Sequence, residues 1–573
     1  VLGKGFWHGA LTAVGGYERA RSEELLRELE RKQLVRREQE SIVRDEAQFA
    51  FSHILVRDVA YGQIPRSDRA EKHRHAAEWI EALSPERSED RAEMLAHHYA
   101  TALGFARVVR QETDSLKTRT RFALRNVGDR AVSLNSFGKA ARYYASALEL
   151  WPADGPERAD LLFRLGEAQL HAETAGREAL AEAREAFLSE GRTEAAAEAT
   201  VLLGELLWMH ADSDSLAYLE DAAALLADSP PSPAKAHVMA SLARFLMIHG
   251  EHASAIRLGL DSLAMANGLR TSELRAHVLA TIGLARTRSG DPDGLADLEE
   301  SVELAAELNS IESVRGYANL GNALVEAGEL ERAFAQYERG RAAARGFGDV
   351  DRIRWFDAER IYEQYWRGSW DTALELASRV IADAAAGVPT SIEQDARLVR
   401  GRIRAARADP AGALEDSERS LELGRRAGYP EMLVPALALQ ARLHTSAGSS
   451  AEAKSLVADA LDLWPRRIAS SYWLADLALA AYEAGETDRM LAALRPVEGT
   501  SRWADAALAL VSGDFAAAAD QFAKIGTVPD EALARLCSAQ VAGREGELAA
   551  ALTLVRSLRA TAFLSRGKAL LTR

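Results

Sequence analysis

Phosphate chemistry is the first that the residues suggest, because Gly-Lys occurs three times, at Lys4, Lys139 and Lys568. A phosphate loop needs G-x4-G-K-[ST], in which backbone N–H groups cradle the phosphates while the lysine and a hydroxyl handle charge and Mg²⁺. These pairs are followed by Gly5, Ala140 and Ala569, so none meets the pattern. Gly3-x-Gly5 fails as a dinucleotide fingerprint, since His8 stands where the third glycine belongs. No HExxH or GxSxG string offers zincin or hydrolase chemistry. The chain as given is therefore read as having no catalytic residue and no cofactor of its own. Metal ligation has no better footing. His73 with His75, and His97 with His98, stand one or two residues apart on helices, where side chains do not share a face. The single cysteine, Cys537, excludes an intrachain disulfide and a cysteine-based zinc site.

Binding chemistry is better served. His53 sits where a strand-like segment gives way to a helix, and a helix N-terminus offers free N–H groups and positive potential to a phosphate. The same place suits a plain helix cap. Trp355, Tyr362 and Trp366, spaced seven and four, lie along one helix face, and Arg397, Arg400 and Arg404 form a one-face stripe shortly after. Aromatics beside arginines suit a peptide or an anionic ligand in a concave groove. The competing reading makes the aromatics core and pairs the arginines with Asp or Glu.

These residues must be held by helices. Apolar residues make up 48% of the 573 but aromatics only 7%, which favours short Ala- and Leu-rich helices over sheets. The net charge of -15 disfavours a general polyanion binder. From about residue 121 the sequence repeats. The unit LRNVGDRAVSLNSFGKAARYYASALELWP places Leu124, Val127, Gly128 and Ala131 on a first helix, Ala140, Tyr144 and Ala147 on a second, and Pro152 after it. This resembles a tetratricopeptide (TPR) repeat, whose small residues let two antiparallel helices approach. The grammar recurs at Tyr317, Leu320, Gly321, Leu324, Ala333 and Tyr337, and at Leu437, Ala441, Ala453, Val457, Ala460 and Pro465. Markers near 128, 166, 204, 243, 283, 321, 362, 401, 441, 478, 506 and 537 predict about twelve helix pairs in a TPR-like superhelix over 121–573. The expected class is all-α.

Residues 1–120 lack this period. Ser22–Gln33 reads as an amphipathic helix, and Leu34–Arg37 with Gln48–Phe51 as a short β-hairpin. Two helices parted by Pro65 follow, then another over Asp90–Gly104. Helix, hairpin, helix outlines a winged-helix domain over 1–85, joined by linker helices over 86–120. Arg57, Arg66, Arg69 and Arg74 give it a basic side, suited to DNA or to an acidic neighbouring domain.

Phe51-x-His53-x-Leu55-x-Arg57-Asp58-x-Ala60-Tyr61, with Arg69 and His73 after it, resembles the winged-helix segment of STAND-type signalling ATPases. Gly5-Phe6-Trp7 and Leu29-Glu30-Arg31-Lys32-x-Leu34-Val35 are similar to the same family. The likeness covers about 100 residues. It is greatest to bacterial members that join an adenylate/guanylate cyclase or other effector to an AAA-like ATPase and a C-terminal TPR sensor. The resemblance implies an ATPase domain preceding Val1 in the same polypeptide, where ATP or ADP and Mg would bind, and oligomerisation on activation. It implies that His53 touches the nucleotide phosphate, although Ser52 and Ile54 replace the family's flanking Met and Asp. It implies a brace rather than a DNA reader, and a protein or peptide partner for the TPR concave surface. Two alternatives stay open: part of a large LuxR-like transcription regulator, or a stand-alone TPR scaffold. Against the former, the C-terminal ATAFLSRGKALLTR reads as one last amphipathic helix rather than a helix-turn-helix. One cysteine and no run of 18 apolar residues lead to the expectation of a cytoplasmic protein without a membrane span.

Overall fold

The computed structural model describes residues 1–573 except 40, 42, 44–45, 84–87, 211–213, 388–391, 429, 464–471, 543–544 and 566–573. Pro465, Lys568 and the end of the expected C-terminal helix lie outside the described residues. The chain divides into two compact units, Val1–Arg192 and Thr193–Arg573.

Unit one opens with β1 (Gly5–Trp7), α1 (His8–Gly15), α2 (Arg19–Arg31), β2 (Val35–Arg37) and β3 (Gln48–Phe51). The expected β2–β3 pair is present, and β1 adds a third antiparallel strand in the order β1-β3-β2. Three residues are too few for a legible alternation, yet they do alternate. Phe6 packs on Phe49 and Phe51 over Leu26, while Trp7 stacks at 5.8 Å on Trp79 from the other face. Next come α3 (Ile54–Gly62) and α4 (Arg66–Glu81), parted at Pro65 as expected, and α5 (Ser88–Val108) packed on α4. Two helix hairpins follow, α6 (Asp114–Ser133) with α7 (Phe137–Leu148), and α8 (Arg158–Glu173) with α9 (Arg177–Ser189).

Unit two is ten further hairpins. The first four are α10 (Thr193–Met209) with α11 (Ser215–Leu225), α12 (Pro233–Ile248) with α13 (His252–Leu269), α14 (Ser272–Arg288) with α15 (Gly294–Glu307), and α16 (Glu312–Ala327) with α17 (Leu330–Phe347). The next three are α18 (Val350–Trp366) with α19 (Trp370–Ala385), α20 (Glu393–Ala406) with α21 (Pro410–Ala427), and α22 (Pro430–Ser446) with α23 (Ser450–Leu463). The last are α24 (Leu474–Ala484) with α25 (Thr487–Leu494), α26 (Arg502–Val511) with α27 (Phe515–Ile525), and α28 (Val528–Ala542) with α29 (Glu545–Ser557). With the two hairpins of unit one, the described residues contain the twelve expected pairs.

One turn recurs. Asn135, Gly250, Gly290, Gly328, Gly368, Ala408, Gly448, Gly485 and Gly513 all have positive φ. In each case the next residue donates its N–H to a carbonyl five residues back, as Glu329 does to Leu324 at 2.8 Å and Ser369 to Gln364 at 2.8 Å. That bond satisfies a carbonyl otherwise left over at the helix end. Seven residues before the left-handed position stands the small residue that the helices need: Gly128, Ala243, Gly283, Gly321, Gly401, Ala441, Ala478 and Ala506. A Cβ at Gly128 would overlap the ring of Tyr144, and one at Gly321 the ring of Tyr337. The two tyrosine hydroxyls then donate alike, to Asp129 at 2.8 Å and Asn322 at 2.7 Å. Counting back from Gly368 corrects one marker: the equivalent position is Ile361, not Tyr362, with Ala377 where Tyr337 stood. The size exchange keeps the repeat and releases Tyr362 to face elsewhere.

Along unit two the first helix of each pair packs on the first helix of the next, α10 to α16 and again α18 to α26, while second helices pack on flanking first helices. The first helices therefore form the inner row of the curve. Between α16 and α18 this row is looser.

Two glycines in neighbouring helices test the packing account. Gly321→Ala should lower the denaturant midpoint, because overpacking costs about 1–3 kcal/mol and helix propensity returns about 1 kcal/mol or less. Gly346→Ala on α17, where a Cβ meets nothing, should raise the midpoint, a gain in stability of about 0.4–1 kcal/mol.

Candidate functional site

The inner face of α18 carries Trp355, Glu359, Tyr362 and Trp366 at spacings of four, three and four, one continuous helical stripe. The aromatic members are legible in the sequence. Glu359 was missed, though it lies in register between them. Beside the looser stretch of the row this stripe borders a cavity of about 240 Å³. Its other walls come from first helices too: Arg288 of α14, Glu326 of α16, Gln394 and Asp395 of α20, and Glu431 of α22. Tyr337 of α17 and Tyr472, just before α24, complete the aromatic lining.

The cavity is partly covered by the chain's own later helices. Trp503 of α26 donates its indole N–H to the carbonyl of Val325 at 2.7 Å, across 178 residues of sequence, and Arg502 reaches the Gly328 carbonyl at 3.3 Å. Trp366 stacks at 5.2 Å on Tyr362 and meets Tyr472 at 5.9 Å and Trp503 at 6.0 Å. It is 3% exposed and Tyr362 4%, so these two are core as well as wall, while Trp355 is half-buried, edge-on to Tyr337 at 5.7 Å. The Tyr362 hydroxyl donates to Asp395 at 2.9 Å and lies 3.1 Å from that of Tyr472. At this point the expected groove is narrowed to a small, partly open cavity.

Its electrostatics are acidic. Arg288 lies 3.4 Å from Glu326 and 3.2 Å from Glu431, held between them. Glu359 has neither hydrogen bond nor ion pair among the described residues; burial, aided by the Asp395 carboxylate, pushes it up to about 8. Burial also pushes Glu326 up to about 7 and Asp395 to about 6. Gln394 donates its amide N–H to the Met432 carbonyl, which leaves its Oε1 buried without a partner.

Arg397, Arg400 and Arg404 do not line this chamber. All three converge on Asp416 of α21, whose side chain is wholly buried. Arg400 grips it twice, at 2.7 and 2.8 Å, with Arg397 at 3.1 Å and Arg404 at 2.9 Å. The stripe clamps α20 to α21, and the carboxylates of the chamber give it the opposite charge to the one the arginines suggested.

In unit one, His53 caps α3: its Nδ1 accepts the Leu55 N–H at 3.2 Å, and its side is exposed. Three of the four basic residues near it are engaged, and Arg66 is exposed. Arg57 pairs with Asp58 at 2.7 Å, Arg69 donates to the Ile64 and Gly62 carbonyls at the end of α3, and Arg74 pairs with Glu78. The histidines pair across helices rather than along them. His73 Nδ1 meets His98 Nδ1 at 2.9 Å and His73 Nε2 meets the Tyr61 hydroxyl at 3.0 Å. Among the described residues no group of three or more His, Cys, Asp or Glu could hold a metal ion, and no helix is long and apolar enough to cross a membrane.

No family model matches the chain, and no curated protein does. Solved structures give likenesses of 11–16% identity. A Rap protein complexed with competence and sporulation factor is 15% identical, over 73% of this chain and 96% of that one, with a TM-score of 0.34. A STAND protein with a tetratricopeptide repeat sensor from Pyrococcus horikoshii is 11% identical, over 80% and 60%, with a TM-score of 0.32. The Cut9–Hcn1 hetero-tetramer of the APC/C is 14% identical, over 89% and 98%, with a TM-score of 0.41. At such scores the likenesses carry no argument, and the TPR-like assignment rests on the turns and small-residue contacts of this chain.

Two measurements test the site's electrostatics. Asp416→Asn leaves three largely buried guanidinium groups without their counter-charge and should cost about 3–5 kcal/mol in urea unfolding; arginines kept for a ligand would leave stability nearly unchanged. A carboxyl whose folded pKa is raised holds its proton in the folded state after the unfolded chain has lost it, so stability falls as pH rises through that window. For Glu359 the window runs from its ordinary 4.5 to about 8. Unit two should therefore weaken between about pH 5 and about pH 8, and Glu359→Gln should flatten that slope. Unit one has the opposite sign, because burial and neighbouring imidazoles lower His73 to about 3 and His98 to about 4, so it weakens as pH falls below their ordinary 6.5.

Proposed function

We propose that this chain is the regulatory and sensing region of a STAND-type signalling ATPase, one linked to a cyclase or another effector. In this reading the N-terminal domain, with its winged-helix outline, braces an ATPase domain of the same polypeptide. The helix-pair solenoid takes a protein or peptide partner, and binding shifts the ATPase from an ADP-held monomer toward an ATP-bound oligomer. Such a shift requires a partner that prefers one state over the other. The chain itself catalyses nothing in this account; ATP, ADP and Mg²⁺ belong to the ATPase domain.

The observation that carries the reading is α3. It buries no residue, and Ile54, Leu55 and Val59 are 42%, 62% and 62% exposed. An apolar helix held this way, with both ends anchored and its face bare, is what a covering domain would need. His53 stands at its start. Because its Nδ1 accepts a backbone N–H, the neutral imidazole carries its proton on Nε2. That is the form able to donate to a phosphate oxygen, and it fits the role that the family resemblance implies.

Translation of the reading frame upstream of Val1 should reveal a G-x4-G-K-[ST] loop. The ATPase domain encoded there, expressed separately, should co-elute with this chain, and Leu55→Asp with Val59→Asp should abolish co-elution without lowering the melting temperature. An upstream frame with no ATPase would overturn the reading.

A further inference from the structure

The cavity of unit two contains one filled seat for a guanidinium group and one without a paired cation. In the filled seat Arg288 lies between Glu326 and Glu431. Across the chamber, Glu359 and Asp395 stand on α18 and α20 with no cation as close: Arg402, which acts on Asp395, is bonded instead to Asp476 at 2.7 Å. Asp395 has a single donor, the Tyr362 hydroxyl. Glu359 has none among the described residues. Gln394, 3% exposed, turns its amide N–H to Met432 and leaves Oε1 unpartnered at the same wall.

Gln394 Oε1 is a buried acceptor without a donor, and Glu359 and Asp395 are half-buried carboxyls without a paired cation; both arrangements cost free energy. A ligand that supplied only donors and positive charge would remove both costs together. Guanidinium has five N–H donors and no acceptor, and ammonium has three. Trp355, Tyr337 and Tyr472 line the same cavity, and aromatic rings stabilise a cation held beside them. Of the charged side chains lining the cavity four are carboxyls and one is a guanidinium, so an anion has no place in it. The volume of about 240 Å³ is below the roughly 300 Å³ at which pockets for drug-sized molecules begin. It accommodates one alkyl chain with its charged head and no folded segment.

We propose that this cavity binds a single alkylguanidinium or alkylammonium group between Glu359 and Asp395, beside Gln394. The group belongs either to a small free amine or to an arginine or lysine side chain presented by a peptide. The inference deepens the reading of the solenoid as the sensing part and names the chemistry it senses.

The test is calorimetric titration of the full chain with butylguanidinium and with the peptide acetyl-Ala-Arg-Ala-amide, each against its neutral counterpart, butylurea and acetyl-Ala-citrulline-Ala-amide. Both charged probes should bind saturably and their counterparts should not. Equal affinity of the two charged probes points to a free amine, and tighter binding of the peptide to a presented side chain. Glu359→Gln should weaken binding about thirtyfold or more, the lower end of what loss of one partner in a buried charge pair costs, while the melting temperature stays the same or rises. Failure of either charged probe to exceed its counterpart, or undiminished binding by Glu359→Gln with its fold intact, would overturn the proposal. Neither result touches the ATPase reading, which the upstream frame and the α3 variants decide.

Discussion

The approach of two antiparallel helices sets everything else in the solenoid. A small residue seven residues before most of the turns admits the opposite helix closely, and where it is glycine a ring or a branched chain fills the space, as Tyr337 does at Gly321 and Leu298 at Gly283. The turn that follows is tied by one N–H to a carbonyl five residues back. Close approach, a left-handed residue and that bond together fix the angle at which each hairpin leaves the last. Since first helices pack on first helices along unit two, small identical steps accumulate into a curve with those helices inside.

Curvature brings distant parts of unit two together. Trp503 reaches Val325, and Arg502 reaches Gly328, so that α26 lies against the end of α16. Arg559 and Arg407 both pair with Asp371, tying the region after α29 to the start of α19. An inner surface that would otherwise be an open trough is thereby divided, and where α16 and α18 separate it narrows to a partly open cavity. Enclosure changes the chemistry of what lines it. Carboxyls that would titrate normally on an open face are lifted by burial, Glu359 furthest among those lining the cavity.

A fold that keeps an unpaired carboxyl half-buried forgoes stability there. Some buried charge in the same unit is closely matched: Asp416 is met by three arginines, and Arg442 by Glu483 at 2.7 Å. The contrast within one helix, α20, is instructive. Its outer-facing arginines are fully engaged with α21, whereas Asp395 and Gln394 on its inner face are short of donors. The same division separates structure from recognition in unit one, where Arg57, Arg69 and Arg74 are engaged and the apolar side of α3 is bare.

Helix pairs were legible in the sequence because their determinants are local. Gly128, Asn135 and Tyr144 lie within one hairpin, and their spacing states its geometry without reference to the rest of the chain. The alignment of Trp355, Tyr362 and Trp366 on one face was legible for the same reason. Strand β1 was not, because a pairing of Gly5–Trp7 with Gln48–Phe51 is a long-range contact carried by three residues. Nor could spacing say which charged stripe would be neutralised. Arg397, Arg400 and Arg404 look like a surface until Asp416 is seen beneath them, and Glu359 looks like an ordinary surface acid until α26 and Tyr472 are placed over its neighbours. The sequence by itself determined the repeat, its turns and the faces of its helices, all of which are set by contacts a few residues apart. Tertiary structure alone decided which faces are enclosed and which charges lack partners, because burial depends on a curvature summed over many hairpins.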